Sequence, residues 1–125
     1  AKKTVTLVKP VKKNNKKITV PSTVKIGDYS YQVTAVSAKA FRKNAKLTQV
    51  TIGKNVTQIG KQAFESCKKL KKVTIQSKVL KSVGKKAFAG MKAGGKIYVP
   101  KAKYKAYTKL LKKAKTAKSI VIKKK

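Results

Sequence analysis

Histidine is absent from this chain, and Cys67, Met91 and Arg42 are each the sole residue of their type. Acidic side chains are almost as scarce, with only Asp28 and Glu65. Each shortage removes a class of chemistry. With no imidazole, one thiol and two carboxylates, the usual ligand sets for zinc and other transition metals cannot be assembled. Ser–His and Cys–His nucleophile pairs are impossible. Paired-carboxylate catalysis would need Asp28 beside Glu65. Asp28 instead sits in a Gly27-Asp28 turn, and Glu65 follows Phe64 one full repeat later. Gly94-Gly95 lies in neither a GxxxxGK(S/T) nor a GxGxxG setting, so no phosphate loop is expected. No lysine is marked out as a nucleophile. Neither catalysis nor a cofactor is expected.

A lone cysteine forbids an internal disulfide and leaves the redox compartment open. No stretch approaches the ~20 consecutive apolar residues of a membrane span. The opening AKKTVTLVKP has no sustained apolar region and no cleavage pattern, so no signal peptide is expected in it.

Lysine is what the chain has in excess. Thirty-five basic residues face two acidic ones, for a formal net charge of +33. High charge alone reads as disorder, but 41% of the 125 residues are apolar and they recur at regular intervals. One domain with one continuous core is therefore expected. Lysine is a hydrated point charge, whereas arginine offers a planar fork for two-point recognition of phosphate or carboxylate. The composition points to bulk electrostatics. The excess goes well past the ~2–8 charges that solubility asks of a small domain. Such a surface concentrates polyanions: nucleic acid, teichoic acid, acidic polysaccharide or anionic lipid.

The apolar residues repeat. Phe41, Phe64 and Phe88 are spaced 23 and 24 apart. Around them run columns of Val33, Val56, Leu80; Val36, Ile59, Val83; Ala40, Ala63, Ala87; Leu47, Leu70, Gly94; Val50, Val73, Ile97; and Ile52, Ile75, Val99. Gly94 alone breaks the apolar character of the twenty-one positions. The alternation in LTQVTI and LKKVTI predicts a strand. The apolar spacing of IGKQAF predicts one short helical turn. Stacked coils of strand, bend, helical turn and return would bury Phe on Phe and Val on Val, which no coil can do alone.

The predicted fold is an α/β solenoid, leucine-rich-repeat-like, of mostly short strands and short helical turns. Residues 1–32 form an N-terminal β cap, 33–99 three repeats of 23–24 residues, and 100–125 a C-terminal helix and strand cap. In the first segment VKIGDYSYQV reads as a hairpin around Gly27-Asp28. TVTLV and ITV, flanking Asn14-Asn15, read as a second strand pair. In the last, Tyr104, Tyr107, Leu111 and Ala114 share one face of a helix after Pro100, and Ser119–Ile122 returns as a short strand. A basic amphipathic helix can also bind membranes or calmodulin-like partners; a lid over the last coil is the simpler reading.

The motifs VTAVSAKAF, VTQIGKQAFESCKKLKKVTI and LKSVGKKAF, with the tail IYVPKAKYKAYTKLLKKA, resemble the BspA-type leucine-rich repeat family. The resemblance spans roughly Val20 to Ile122 and is nearest in the middle repeat. It implies a secreted or surface-attached protein of a bacterium or protozoan, engaged in adhesion or protein binding, and carries over no catalytic residue. Cys67 falls where the family often has Cys, which implies a small packing residue. The insertion in the third repeat, its Gly94 and the lysine excess depart from the family pattern.

In L-x-x-V-x-I the intervening residues must face outward. Three rows follow across the strands: Gln49, Lys72, Lys96; Thr51, Thr74, Tyr98; and Gly53, Gln76, Pro100. Gln49, Thr51, Lys72, Thr74, Gln76, Lys96 and Tyr98 form the candidate contact face, although threonine columns also suit β-structure in their own right. Lys68, Lys69, Lys71, Lys85, Lys86, Lys112 and Lys113 are the candidate polyanion contacts. Three readings stay open: a surface or secreted module binding a protein or cell-wall polymer; a non-specific polyanion binder, nucleic acid included; and a structural terminal segment or engineered lysine-rich scaffold.

Overall fold

The computed structural model describes residues 4–7, 16–116 and 119–124. Its strands are β1 (Thr4–Leu7), β2 (Lys17–Val20), β3 (Thr23–Ile26), β4 (Tyr29–Val36), β5 (Gln49–Ile52), β6 (Gln58–Ile59), β7 (Lys72–Ile75), β8 (Ser82–Val83), β9 (Lys96–Val99) and β10 (Val121–Lys124). One helix, α1 (Tyr104–Lys113), follows a 3-10 turn over Lys101–Lys103. The strands sort into two sheets. Sheet A runs β1-β4-β6-β8 in parallel, with β3 antiparallel on β4; sheet B runs β2-β5-β7-β9-β10, all parallel.

Register carries the sequence period into space. Val50 pairs with Val73 and Val73 with Ile97 in sheet B, and Val36 pairs with Ile59 and Ile59 with Val83 in sheet A. Each repeat thus lies on its successor with like residues in line. The three phenylalanines stack with ring planes 1° apart and centroids 5.1 and 5.3 Å apart. That spacing follows the ~4.8 Å between hydrogen-bonded strands, so the backbone sets the ring separation. Leu47, Leu70, Val50, Val73, Ile97, Ile52, Ile75, Val99 and the phenylalanines are all buried in one cluster.

The expected helical turns are not helices. The segments around each Phe are successive tight turns: Ala40 N–H donates to Ser37 O, Arg42 N–H to Lys39 O and Asn44 N–H to Phe41 O. Left-handed residues interrupt them at matching positions: Lys39, Gln62 and Lys86 (φ 60°, 59° and 62°), then Lys43 and Ser66 (both φ 60°) and Gly90 (φ 84°). These break any continuing helix and free N–H groups to point along the stack. Phe41 N–H donates to Ala63 O and Phe64 N–H to Ala87 O, both at 2.7 Å. In a helix those donors would be used within the segment; here they tie one repeat to the next. Tight approach has a sequence consequence at Gly60 and Gly84, where a Cβ would run into the backbone of Ala38 and Lys61.

The first two strands also differ from expectation. β1 pairs with β4 in sheet A and β2 with β5 in sheet B, so TVTLV and ITV do not form a pair. The Asn14-Asn15 link lies outside the described residues. The Gly27-Asp28 hairpin is present, with Ile26 opposite Tyr29. The extra residue of the third repeat falls between Ile75 and Leu80. There Ser77 is fully buried, with its Oγ–H donating to Val56 O at 2.6 Å. Gly94, in the leucine column, is left-handed (φ 79°). A Cβ there would meet no atom within 4 Å, so the column opens at this position, while Met91 Cε packs against the neighbouring Gly95.

Helix α1 buries Tyr107 and Leu111, and its C-cap Ala114, as the periodicity predicts, and Tyr104 is half-buried. The Tyr107 hydroxyl donates to Ser77 O (2.8 Å) and accepts from Leu80 N–H (3.0 Å), fastening the helix to the third repeat's bend. Beyond the helix, Lys86 N–H donates to Ala114 O and Lys115 is left-handed (φ 63°), continuing the Lys39, Gln62, Lys86 column. β10 then lies parallel on β9. Among the described residues, no helix is long and apolar enough to cross a membrane.

Candidate binding surface

The outward side chains of sheet B make one open face, because strand pleating sends alternate residues to opposite sides. Register puts Gln49, Lys72 and Lys96 on one row and Thr51, Thr74 and Tyr98 on the next. The rows extend further than the three repeats suggest. β2 adds Lys17 beside Gln49 and Thr19 beside Thr51, and β10 adds Val121 beside Lys96 and Lys123 beside Tyr98. The pattern KITV at 17–20, parallel to QVTI, KVTI and KIYV, signals that membership. A 32-residue separation, lengthened by the β3–β4 hairpin, hides it from a search at 23 or 24.

Not every expected contact is available. Thr74 is 5% exposed, being flanked directly by Thr51 and Tyr98 on the neighbouring strands. It forms the floor of the face rather than a projecting side chain. Gly53 is buried against Val20 and Pro21, which leaves Gln76 as the exposed side chain of its row. Lys72 and Lys96 are exposed; Gln49, Thr51 and Tyr98 are half-buried. The Lys72 ammonium sits over the Tyr98 ring, 5.6 Å from its centre, within cation–π range. Two shallow depressions mark the face. One of about 270 Å³ is lined by Gln49, Lys71, Lys72, Gly94, Lys96 and Tyr98. The other, about 150 Å³, is lined by Gln49, Val50, Thr51, Lys72, Thr74 and Gln76.

The lysine candidates divide into two groups. Lys68, Lys69 and Lys71 lead into β7 on the side where the sheet B strands begin. Lys85, Lys86, Lys112 and Lys113 gather where the turn after β8 meets the end of α1, joined by the Lys86 N–H bond to Ala114 O. All seven are exposed. The scarce counter-charge lies on the turn side. Glu65 accepts from Gln62 Nε2 and from Arg42 Nε, both at 2.9 Å, and Lys86 also favours its ionised form. The Gln62 hydrogen bond, then Arg42, holds its carboxyl below the ordinary range. Arg42 and Glu65 are 23 residues apart and one repeat apart in space.

Cys67 is fully buried, and its thiol donates to Phe41 O at 3.1 Å. Burial pushes it up to about 11, so it stays a neutral packing group. Among the described residues, no cluster of three His, Cys, Asp or Glu side chains could hold a metal.

None of the curated proteins compared with the chain matches it. A solved structure, that of a leucine rich cell surface protein from Faecalibacterium prausnitzii A2-165, is similar at 33% identity with a TM-score of 0.61. The likeness covers 82% of this chain and 30% of that one, so the chain spans less than a third of that protein's length. The BspA-type leucine-rich repeat pattern matches residues 34–125 in six copies. With matching residues already in line along the stack, that coverage places the chain in the BspA-type leucine-rich repeat family.

Proposed function

We propose that this chain is a non-catalytic binding module of a bacterial surface or secreted protein, and that it holds its partner on the outer face of sheet B. The repeats act as a solenoid, with β1 and β2 as the outermost strands at one end and α1 with β10 covering the other. The contact residues are Gln49, Thr51, Lys72, Gln76, Lys96 and Tyr98. One observation carries the reading: five parallel strands present a continuous open face whose two depressions share Gln49 and Lys72. Extended sheet faces of this kind are the usual contact surfaces of solenoids. The cell-surface description of the similar structure supports the location.

The test is a panel of extracellular-matrix proteins and cell-wall polymers, measured at low and moderate salt against the native chain and a Thr51→Lys, Gln76→Lys variant. The expected outcome is at least one binder whose affinity the variant reduces. Contact through the neutral part of the face predicts little change with salt. Attachment by lysines scattered over the surface predicts a log–log slope of about −5 for six contacts, and binding that the variant's two added lysines leave intact or strengthen. A purely structural segment would bind nothing in the panel.

A further inference from the structure

The side on which the sheet B strands begin carries a regular array of basic side chains, set in line by the strand register. Thr48 N–H donates to Lys16 O, Lys71 N–H to Thr48 O and Lys96 N–H to Lys71 O. These bonds set Lys16, Thr48 and Lys71 side by side at the entry to the strands. The next rung is Lys17, Gln49, Lys72 and Lys96. Lys92 joins them through its N–H bond to Leu70 O. All six of these lysines are exposed. Neither carboxylate side chain is near: Asp28 is at the hairpin tip and Glu65 is held by Gln62 and Arg42 on the turn side. The depression of about 270 Å³ lies in this lysine edge, with Lys71, Lys72 and Lys96 around it and the half-buried Tyr98 ring in its wall.

We propose that this edge of sheet B binds a linear acidic polysaccharide, laid across the strands with its anionic groups against Lys71, Lys72 and Lys96 and a sugar ring against Tyr98. The inference rests on the sheet B face being the contact surface and adds the ligand's class and direction. Neighbouring strands are ~4.8 Å apart, close to the length of one pyranose in an extended chain, so successive sugars meet successive strands. Lysines suit this ligand, since hydrated point charges tolerate carboxylates or sulfates at varied angles. Single-stranded nucleic acid fits less well, because its grooves offer successive aromatic platforms for successive bases. The depression offers one ring, Tyr98, and no second platform for a following base.

The test compares two charge-matched triple variants, K71Q/K72Q/K96Q and K85Q/K86Q/K112Q, binding a polygalacturonate oligomer and a thymidine oligonucleotide of equal charge. Both variants remove three exposed lysines, and thermal melts establish that each still folds. The first is expected to weaken polygalacturonate binding on the order of 100-fold at low salt. It should also flatten the log–log salt slope by ~2–3. The second is expected to leave the affinity within a few-fold of native. Tyr98→Ala should weaken polygalacturonate and leave the oligonucleotide unchanged. Equal losses in the two triple variants would overturn the assignment, as would tighter binding of the oligonucleotide than of the polysaccharide. If the triple variants behave alike while Thr51→Lys, Gln76→Lys still abolishes another partner, only this inference fails. If no substitution on sheet B affects any ligand, the reading beneath it fails too.

Discussion

Phe64 lies between two copies of itself, Phe41 and Phe88, with rings parallel and 5.1 and 5.3 Å away, whereas the third repeat meets α1 through a buried tyrosine hydroxyl. The two junctions solve the same problem differently. Between repeats the backbones match, so N–H and C=O groups bond along the stack and apolar side chains fall into line. A helix uses its own N–H groups internally and has few to offer. The groups left over at Ser77 O and Leu80 N are instead met by Tyr107. A like neighbour is held by main chain and apolar contact, while the unlike one adds a purpose-placed side chain to apolar packing and the Lys86–Ala114 main-chain bond.

Substitutions at the two junctions can break the comparison. Phe64→Ala removes a fully buried ring from two stacking contacts at once and is expected to cost about 3–5 kcal/mol. Urea denaturation checks this, and a loss below that of a helix-junction variant would contradict it. Tyr107→Phe keeps the packing but strands a buried carbonyl and a buried N–H. A smaller loss of about 1–3 kcal/mol is expected.

Charge should act on both junctions together. Like charges crowded on a compact surface repel, and added salt shortens their reach to about 8–10 Å at physiological strength. The melting temperature is therefore expected to rise from low salt to 0.5 M NaCl; a flat or falling curve would show that repulsion does not limit stability.

Acid sharpens the picture on the turn side. The Glu65 carboxyl titrates below its ordinary value of 4.5 in the folded state, from Gln62 first and Arg42 second. Its contribution to stability is present above that ordinary value and is lost as pH falls through the lower folded one. Glu65→Gln should flatten this acid limb in pH-dependent melts, with a small effect because the group is near solvent. The least effect on stability belongs to Cys67. Its thiol, pushed up to about 11 in the core, should react with a thiol-specific reagent at pH 8 only after unfolding.

Much of this architecture was readable from residue spacing. The Phe, Val and Ile columns predict which side chains stack because a period of 23 or 24 leaves few ways to place like on like. The tyrosine-bearing helix was readable from its 3.6-residue pattern. The turns were not. AKAF and KQAF carry apolar spacings that fit a helix, and nothing in Lys39 or Gln62 announces a left-handed backbone, which hydrogen bonds from the next repeat enforce. The exposure of the candidate face was legible only in part. Alternation gives the direction of Thr74, but its burial depends on the neighbours Thr51 and Tyr98, which only register brings together. The two lysine groups are equally basic in sequence, and only the fold separates the uncompensated strand edge from the side that holds Glu65.

Amide shift mapping of the labelled chain, titrated with each binder found in the panel, tests the central claim most directly. Shifts concentrated at Gln49, Thr51, Lys72, Gln76, Lys96 and Tyr98 are predicted. Shifts centred on the Lys39, Lys61 and Lys85 turns, or on sheet A, would contradict the assignment of sheet B as the surface through which this protein works.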